Sequence, residues 1–208
     1  MIFWICFWLI FIPISLIYPT KVINKKNFPK KKEKKNVIIC CNHTSNWDAV
    51  LIDLRFKKKF HYLCKKELFK NKFSGFFMKK FGGIPVDRTK ADLGAIKKTL
   101  KVLNDGKNLG IFPQGTREEI KDIDVETVKN GVTMFALRTG VPVLPMAMIK
   151  KPKAFRKNYI VVGELIVPNM EKSKDKEYAE EFTKTVVDSI NELRHKGEEM
   201  LCKKKWKI

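Results

Sequence analysis

Two kinds of apolar pattern alternate along the chain. Short runs of β-branched and aliphatic residues, closed by polar ones, predict buried strands. These are NVIICCN (36–42), FHYLCK (60–65), IPVDR (84–88), NLGIF (108–112), VPVLPMAMI (141–149) and NYIVVGELIV (158–167). Between them, apolar positions recur at helical spacing on polar backgrounds. Thr44 and Ser45 can cap a helix over WDAVLIDLRF. KELFKNKFSGFFMKKFGG mixes Leu68, Phe69, Phe73, Phe76, Phe77 and Phe81 with lysines and predicts a helix ending at Gly82 and Gly83. In ADLGAIKKTLKVLNDG, Leu93, Ile96, Leu100 and Leu103 line one face, and Gly106 suits the carboxyl-terminal cap. NGVTMFALRTG predicts a helix closed by Gly140. Tyr178, Phe182, Val186, Ile190 and Leu193 predict a long helix from Asp175 to Met200. The prolines of VPVLPMAMI predict an edge strand or a break. Alternating strands and helices predict an α/β fold: a mixed, largely parallel sheet with helices on both faces.

The first 20 residues, MIFWICFWLIFIPISLIYPT, form a different pattern: apolar on every face and without a charged side chain before Lys21. A helix needs roughly 20 apolar residues to cross a bilayer, so this one is barely long enough. It lacks the basic start and small-x-small site of a cleaved signal. Pro13 kinks it, and Trp4, Trp8 and Tyr18 suit a membrane interface. It predicts a membrane-associated helix, either spanning or dipping into one leaflet. Residues 21–36 predict a basic linker, whose lysines place this side in the cytoplasm and attract anionic lipid. Residues 37–208 form one catalytic-sized domain.

The charge narrows the partners. Lys and Arg number 43 against 22 Asp and Glu, a net +21. Such a field attracts anions: lipid head groups, nucleic acid, phosphorylated metabolites or an acidic carrier protein. Nucleic-acid binding calls for stacking aromatics on a sheet or a basic recognition helix. The lysines instead cluster beside the apolar segment and scatter over helix faces. The five cysteines show neither C-x-x-C nor zinc spacing, which predicts reduced thiols with Cys40 and Cys41 as strand packing.

Chemistry collects in the loops after strands. His43 follows the run VIICC, and Asp48 stands five positions on. An imidazole can take a proton near neutral pH, provided a partner fixes its tautomer. Asp48, one turn into the following helix, can reach back to do that. This is the base and orienter of a Ser-His-Asp triad without an enzyme nucleophile. The missing nucleophile is then a substrate hydroxyl. A helix cap beside a hydrogen-bonded loop histidine accounts for the same residues. In FPQGTRE (112–118), Gly115 lets backbone N–H groups approach an anion, and Arg117 offers a planar fork for phosphate. Arg88 ends IPVDR with a second fork. Each arginine alone also fits a surface ion pair.

Together, NHTSNWD (42–48), GGIPVDR (82–88), FPQGTRE (112–118) and VPVLPMAM (141–148) resemble the four ordered blocks of the glycerolipid acyltransferases, most closely the bacterial lysophosphatidate acyltransferases. The resemblance implies acyl transfer from acyl-CoA or acyl-carrier protein to the hydroxyl of 1-acylglycerol 3-phosphate, on a membrane, with no metal or cofactor. It implies His43 as general base, Asp48 as its orienter, and Arg88, Gln114, Gly115, Thr116 and Arg117 at the acceptor's phosphate and glycerol. Glycerol 3-phosphate and other lysophospholipids are alternative acceptors. Two positions depart from the family pattern. The third block usually reads FPEGTR followed by Ser, and here Gln114 and Glu118 stand in its place. Gln114 keeps hydrogen-bonding capacity and loses a charge.

Overall fold

A computed structural model describes residues 13–30, 35–87, 89 and 91–205. The six runs predicted as strands, joined by Thr20–Ile23, form one seven-stranded sheet. In chain order the elements are β1 (Thr20–Ile23), β2 (Ile38–Cys41), α1 (Trp47–Phe56), β3 (Phe60–Lys65), α2 (Lys72–Lys80), β4 (Gly83–Val86), α3 (Leu93–Asn104), β5 (Asn108–Ile111), α4 (Gly131–Thr139), β6 (Val143–Met148), β7 (Asn158–Val162) and α5 (Lys176–Lys205). The spatial order is β1-β7-β6-β2-β5-β3-β4. Strands β6, β2, β5, β3 and β4 run parallel. β7 is antiparallel to β6 and carries β1 parallel to itself. The sheet is mixed and largely parallel, as the alternation predicted.

Both faces are covered, which is why β2 and β6 read as unbroken apolar runs. Ile38, Cys40, Leu109, Val143 and Ala147 pack under α3, α4 and α5. Ile39, Cys41, Leu144, Met146 and Met148 pack under α1, through Leu51, Ile52 and Phe56. The predicted face of α5 is in the first layer, with Phe182, Val186 and Ile190 buried and Tyr178 and Leu193 at its margin. The predicted face of α3 holds for Ile96, Leu100 and Leu103. Leu93 is 68% exposed, because it opens the helix beyond the end of β4, past the core.

Three local expectations change. Thr20–Ile23, which span the end of the apolar segment and the start of the basic linker, pair along β7; Val22 turns into the α1 layer while Lys21 stays exposed. The lysine-rich helix predicted over 66–83 is two pieces, a 3-10 turn at Lys66–Phe69 and α2. Asn71 separates them: its side chain accepts the Phe73 N–H at 2.9 Å and starts a new helix. The third change is β6, which lies inside the sheet between β2 and β7 despite Pro145. The proline's carbonyl accepts from Gly163 N–H just past β7, and its nitrogen lies on that same side. The Gly163 carbonyl that a normal residue would serve takes the Asn27 side-chain amide at 2.9 Å. A side chain from another segment thus replaces the donor that proline lacks.

The apolar amino-terminal segment lies outside the described residues up to Ile12, including Trp4 and Trp8. Residues 13–17 are helical. Ile14 and Tyr18 join the α1 layer, where Tyr18 lies 5.1 Å from Trp47, ring to ring. No helix among the described residues is long and apolar enough to cross a membrane.

Candidate active site

The loops after β2 and β5 meet at the carboxyl ends of the parallel strands, where ligands bind in open α/β sheets. β2 and β5 are neighbours, so the segment after Cys41 faces the segment after Ile111. Asn42 extends the ladder by one step with its side chain. Its amide donates to Met148 O at 3.0 Å and its oxygen accepts from Met148 N at 2.7 Å. This ties the end of β2 to the end of β6 and fixes where His43 emerges.

His43 and Asp48 are in contact. His43 Nδ1 lies 2.9 Å from Asp48 Oδ2. The same oxygen accepts the backbone N–H groups of Thr44 at 2.6 Å and Ser45 at 2.8 Å. The Thr44 hydroxyl donates to Oδ1 at 3.3 Å. Asp48 is fully buried. It sits in the first turn of α1, where the helix dipole favours a carboxylate. A carboxylate with every other neighbour a donor accepts from Nδ1, so Nδ1 carries the proton and Nε2 presents a lone pair. The carboxylate that orients the histidine also gathers the two backbone N–H groups just ahead of α1.

An aromatic platform holds the imidazole. Phe112 stacks on it at 4.0 Å between centroids and 17° between planes. Tyr62 stacks behind Phe112 at 5.9 Å and 11°. The Tyr62 hydroxyl donates to buried Asp53 at 2.8 Å. Burial holds Asp53 well above the usual carboxylate range, and burial beside Asp53 raises the Tyr62 phenol. Burial thus shifts both toward their neutral forms. Sequence gave no sign of Tyr62 or Asp53 here, because a ring stack across three strands leaves no local pattern.

The third block locks onto the first. Gln114 is buried, and its Oε1 accepts His43 N–H at 2.9 Å. Since that partner can only donate, the amide orientation is fixed. Its Nε2 then donates to Glu118 Oε2 at 3.3 Å. Glu118 N–H in turn donates to His43 O at 2.9 Å. The two departures from the family pattern are thus bonded to each other and to both backbone groups of His43. A glutamate at 114 would set a carboxylate against Glu118.

The remaining predicted residues lie along the same loop. Gly115 takes φ +67°, the left-handed region, and its N–H closes a turn onto Phe112 O at 3.0 Å. Thr116 and Arg117 are exposed. Lys129, which the sequence did not single out, donates its backbone N–H to Pro113 O, and its side chain runs past Gly115. Arg88 lies outside the described residues. Its neighbour Asp87 pairs with Lys66 at 2.5 Å, and that bond holds the Asp87 carboxyl below the usual range. Cys40 and Cys41 are fully buried in β2 and burial pushes both thiols up, so neither serves as a nucleophile.

Comparison with known proteins finds a family, relatives and a similar fold. The Acyltransferase family profile matches residues 19–149. The chain is 31% identical to the 1-acyl-sn-glycerol-3-phosphate acyltransferase of Bacillus subtilis, over 90% of this chain and 94% of that one. It is 32% identical to the enzyme of that name from Borreliella burgdorferi, over 81% and 69%. The crystal structure of the 1-acyl-sn-glycerophosphate (LPA) acyltransferase from Thermotoga maritima superposes with a TM-score of 0.64 at 24% identity, covering 87% of this chain and 71% of that one.

Proposed function

The chain belongs to the acyltransferase family, and on that premise we propose that it acylates the free hydroxyl of 1-acyl-sn-glycerol 3-phosphate to form phosphatidate. The observation that carries this reading is the His43–Asp48 pair, oriented and stacked on Phe112. Such a pair suits activation of a hydroxyl that arrives with the substrate.

The reaction runs in two steps. The acceptor hydroxyl gives its proton to His43 Nε2 as its oxygen attacks the thioester carbonyl of acyl-CoA or an acyl-carrier protein. The tetrahedral intermediate then expels the thiolate, which takes the proton back from the imidazolium. Asp48 stabilises that imidazolium and keeps the ring from turning. The turn at Gly115, with Thr116 and Arg117, supports binding of the acceptor's phosphate, and Lys129 adds a cation at the same loop. Arg88 joins them on the resemblance of its block. Gln114 serves the site by fixing His43, since both ends of its amide are bonded within the protein. The thioester supplies the activation, so the reaction needs no metal or cofactor.

The setting follows from the substrates. A lysolipid lives in a bilayer, and residues 1–20 with the lysines after them suit a membrane anchor whose catalytic domain faces the cytoplasm. The net charge of +21 suits anionic lipid and an anionic donor rather than nucleic acid.

The test supplies purified protein with lysophosphatidate, glycerol 3-phosphate or other lysophospholipids, and with acyl-CoA or acyl-carrier protein. Phosphatidate is the expected product. A product formed only from glycerol 3-phosphate would move the acceptor assignment. His43→Ala is expected to abolish transfer with an unchanged denaturation midpoint, and near wild-type turnover in that variant would remove His43 from the mechanism.

A further inference from the structure

α2 is built inside out. A surface helix normally turns its large apolar residues to the core. In α2 the buried residue is Gly75, where an added Cβ would lie 2.8 Å from the Phe69 carbonyl oxygen. The glycine lets the helix lie close on the preceding turn. Phe73 and Phe76 point outward, 74% and 55% exposed, and Leu68 in that turn is 49% exposed. Phe77 joins them, with ring centroids 4.8 Å from Phe73 and 5.8 Å from Phe76. Asn71 caps the helix and Ser74 donates its hydroxyl to Leu68 O at 2.8 Å, so the cluster is held rather than loose.

The surroundings of this cluster are basic. Six lysines fall between 65 and 80, against Glu67 alone. Lys72, Lys79 and Lys80 are exposed on α2 itself, and Lys80 Nζ sits 5.5 Å from the centre of the Phe76 ring. The turn and the start of α2 follow the carboxyl end of β3, the edge of the sheet from which His43 emerges. Leu93, exposed at the start of α3, follows β4 at that same edge.

We propose that the turn at Lys66–Phe69 and α2 form an interfacial docking surface for an anionic bilayer, with Phe73 and Phe76 inserted at the head-group boundary and the flanking lysines on lipid phosphates. Phenylalanines on one side and lysines around them are the chemistry of helices that lie in a membrane interface. The charge selects an anionic lipid surface over an acidic core or a second copy of this chain, which would set lysines against lysines. The inference rests on the lipid-substrate reading and extends it. Docking by α2 brings the His43 edge down to the layer where a lysolipid's glycerol and phosphate lie.

The test uses the full chain, whose apolar amino-terminal segment would hold any variant to vesicles. The readout is therefore local. Amide hydrogen exchange over residues 72–80 is measured with phosphatidylcholine vesicles, with and without phosphatidylglycerol. Exchange is expected to slow on the anionic vesicles, and Phe73→Ser/Phe76→Ser is expected to remove the slowing. The same double variant should raise the apparent KM for vesicle-borne lysophosphatidate by roughly tenfold. Its kcat on a monomeric short-chain acceptor should stay unchanged. Exchange over 72–80 that ignores vesicles overturns the proposal, as does slowing that depends on protein concentration without lipid. An inactive protein with lipid-protected 72–80 would sink the acyl-transfer reading and leave the docking surface standing.

Discussion

Gln114→Glu exchanges one amide nitrogen for an oxygen and inverts one contact. The bond from His43 N–H survives, since a carboxylate oxygen accepts as an amide oxygen does. The 3.3 Å bond from Nε2 to Glu118 becomes a meeting of two carboxylates. At that separation, two unit charges repel by about 5 kcal/mol at an effective dielectric of about 20 and by about 1 kcal/mol in bulk water. Residue 114 is buried, but the Glu118 side chain is 28% exposed, with Lys121 at 3.6 Å as an alternative partner. Glu118 can therefore swing partly away. The expected net loss is about 1–3 kcal/mol, the lost hydrogen bond included. Because Glu118 N–H holds His43 O, the displacement reaches the base, and kcat should fall more than KM rises.

The assay is a double-mutant cycle by urea denaturation at neutral pH, with kcat measured in parallel. Glu118→Gln alone leaves an amide facing an amide and should cost under about 1 kcal/mol. The double variant Gln114→Glu/Glu118→Gln exchanges the two groups and rebuilds the bond in reverse. It should recover most of the loss, giving a coupling of about 1–2 kcal/mol. If the two single effects add within about 0.5 kcal/mol, the pair is not coupled and Gln114 does not act through Glu118.

Three further outcomes follow from the same structure. Asn42→Ala strands both Met148 backbone groups in the interior and should lower stability by about 2–4 kcal/mol, read as the urea midpoint; a change under about 0.5 kcal/mol would mean that the extended ladder contributes little. Gly110→Ala would set a methyl 2.1 Å from the Tyr62 ring, which Asp53 and Phe112 hold in place, and should cost about 3 kcal/mol with some loss of kcat as the His43 platform shifts. At about pH 8, native protein should show alkylation at exposed Cys202 and none at Cys40 or Cys41, whose thiols burial holds up; peptide mass spectrometry that finds either β2 cysteine modified at the rate of Cys202 would contradict their role as packing.

What was legible in the sequence was local. VIICC read as a buried strand because a strand covered on both faces needs no alternation. His43 and Asp48 read as a pair because five positions span a strand end and the first helical turn. The register of β2 against β5 and β6 was not legible, since it depends on contacts between segments 71 and 106 residues apart. Pro145 misled for the same reason: the group that compensates it, Asn27, is 136 residues from the carbonyl it serves. The phenylalanines of α2 predicted a helix and not its orientation, because periodicity reports that one side is apolar and does not say which way that side turns. Gly75 held that information, as the one residue of α2 small enough to pack at 2.8 Å from a carbonyl.

The strand order explains why the chemistry sits between β2 and β5. The chain leaves β2 for α1 on one face of the sheet and leaves β5 for α4 on the other. The segments after these adjacent strands therefore part, and a crevice opens at their carboxyl ends. A parting of loops alone would leave His43 on a mobile edge, too loose to serve as a base. Four bonds close it. Gln114 Oε1 and Glu118 N–H take the two backbone groups of His43, Asp48 takes its ring, and Asn42 takes the end of β6. Each of the four comes from a different backbone position, so the imidazole is fixed in height, tilt and rotation while Nε2 is left for substrate. On the proposed reading, a site of this kind needs no nucleophile of its own, because what it would supply is one proton acceptor held still at the place where two loops diverge.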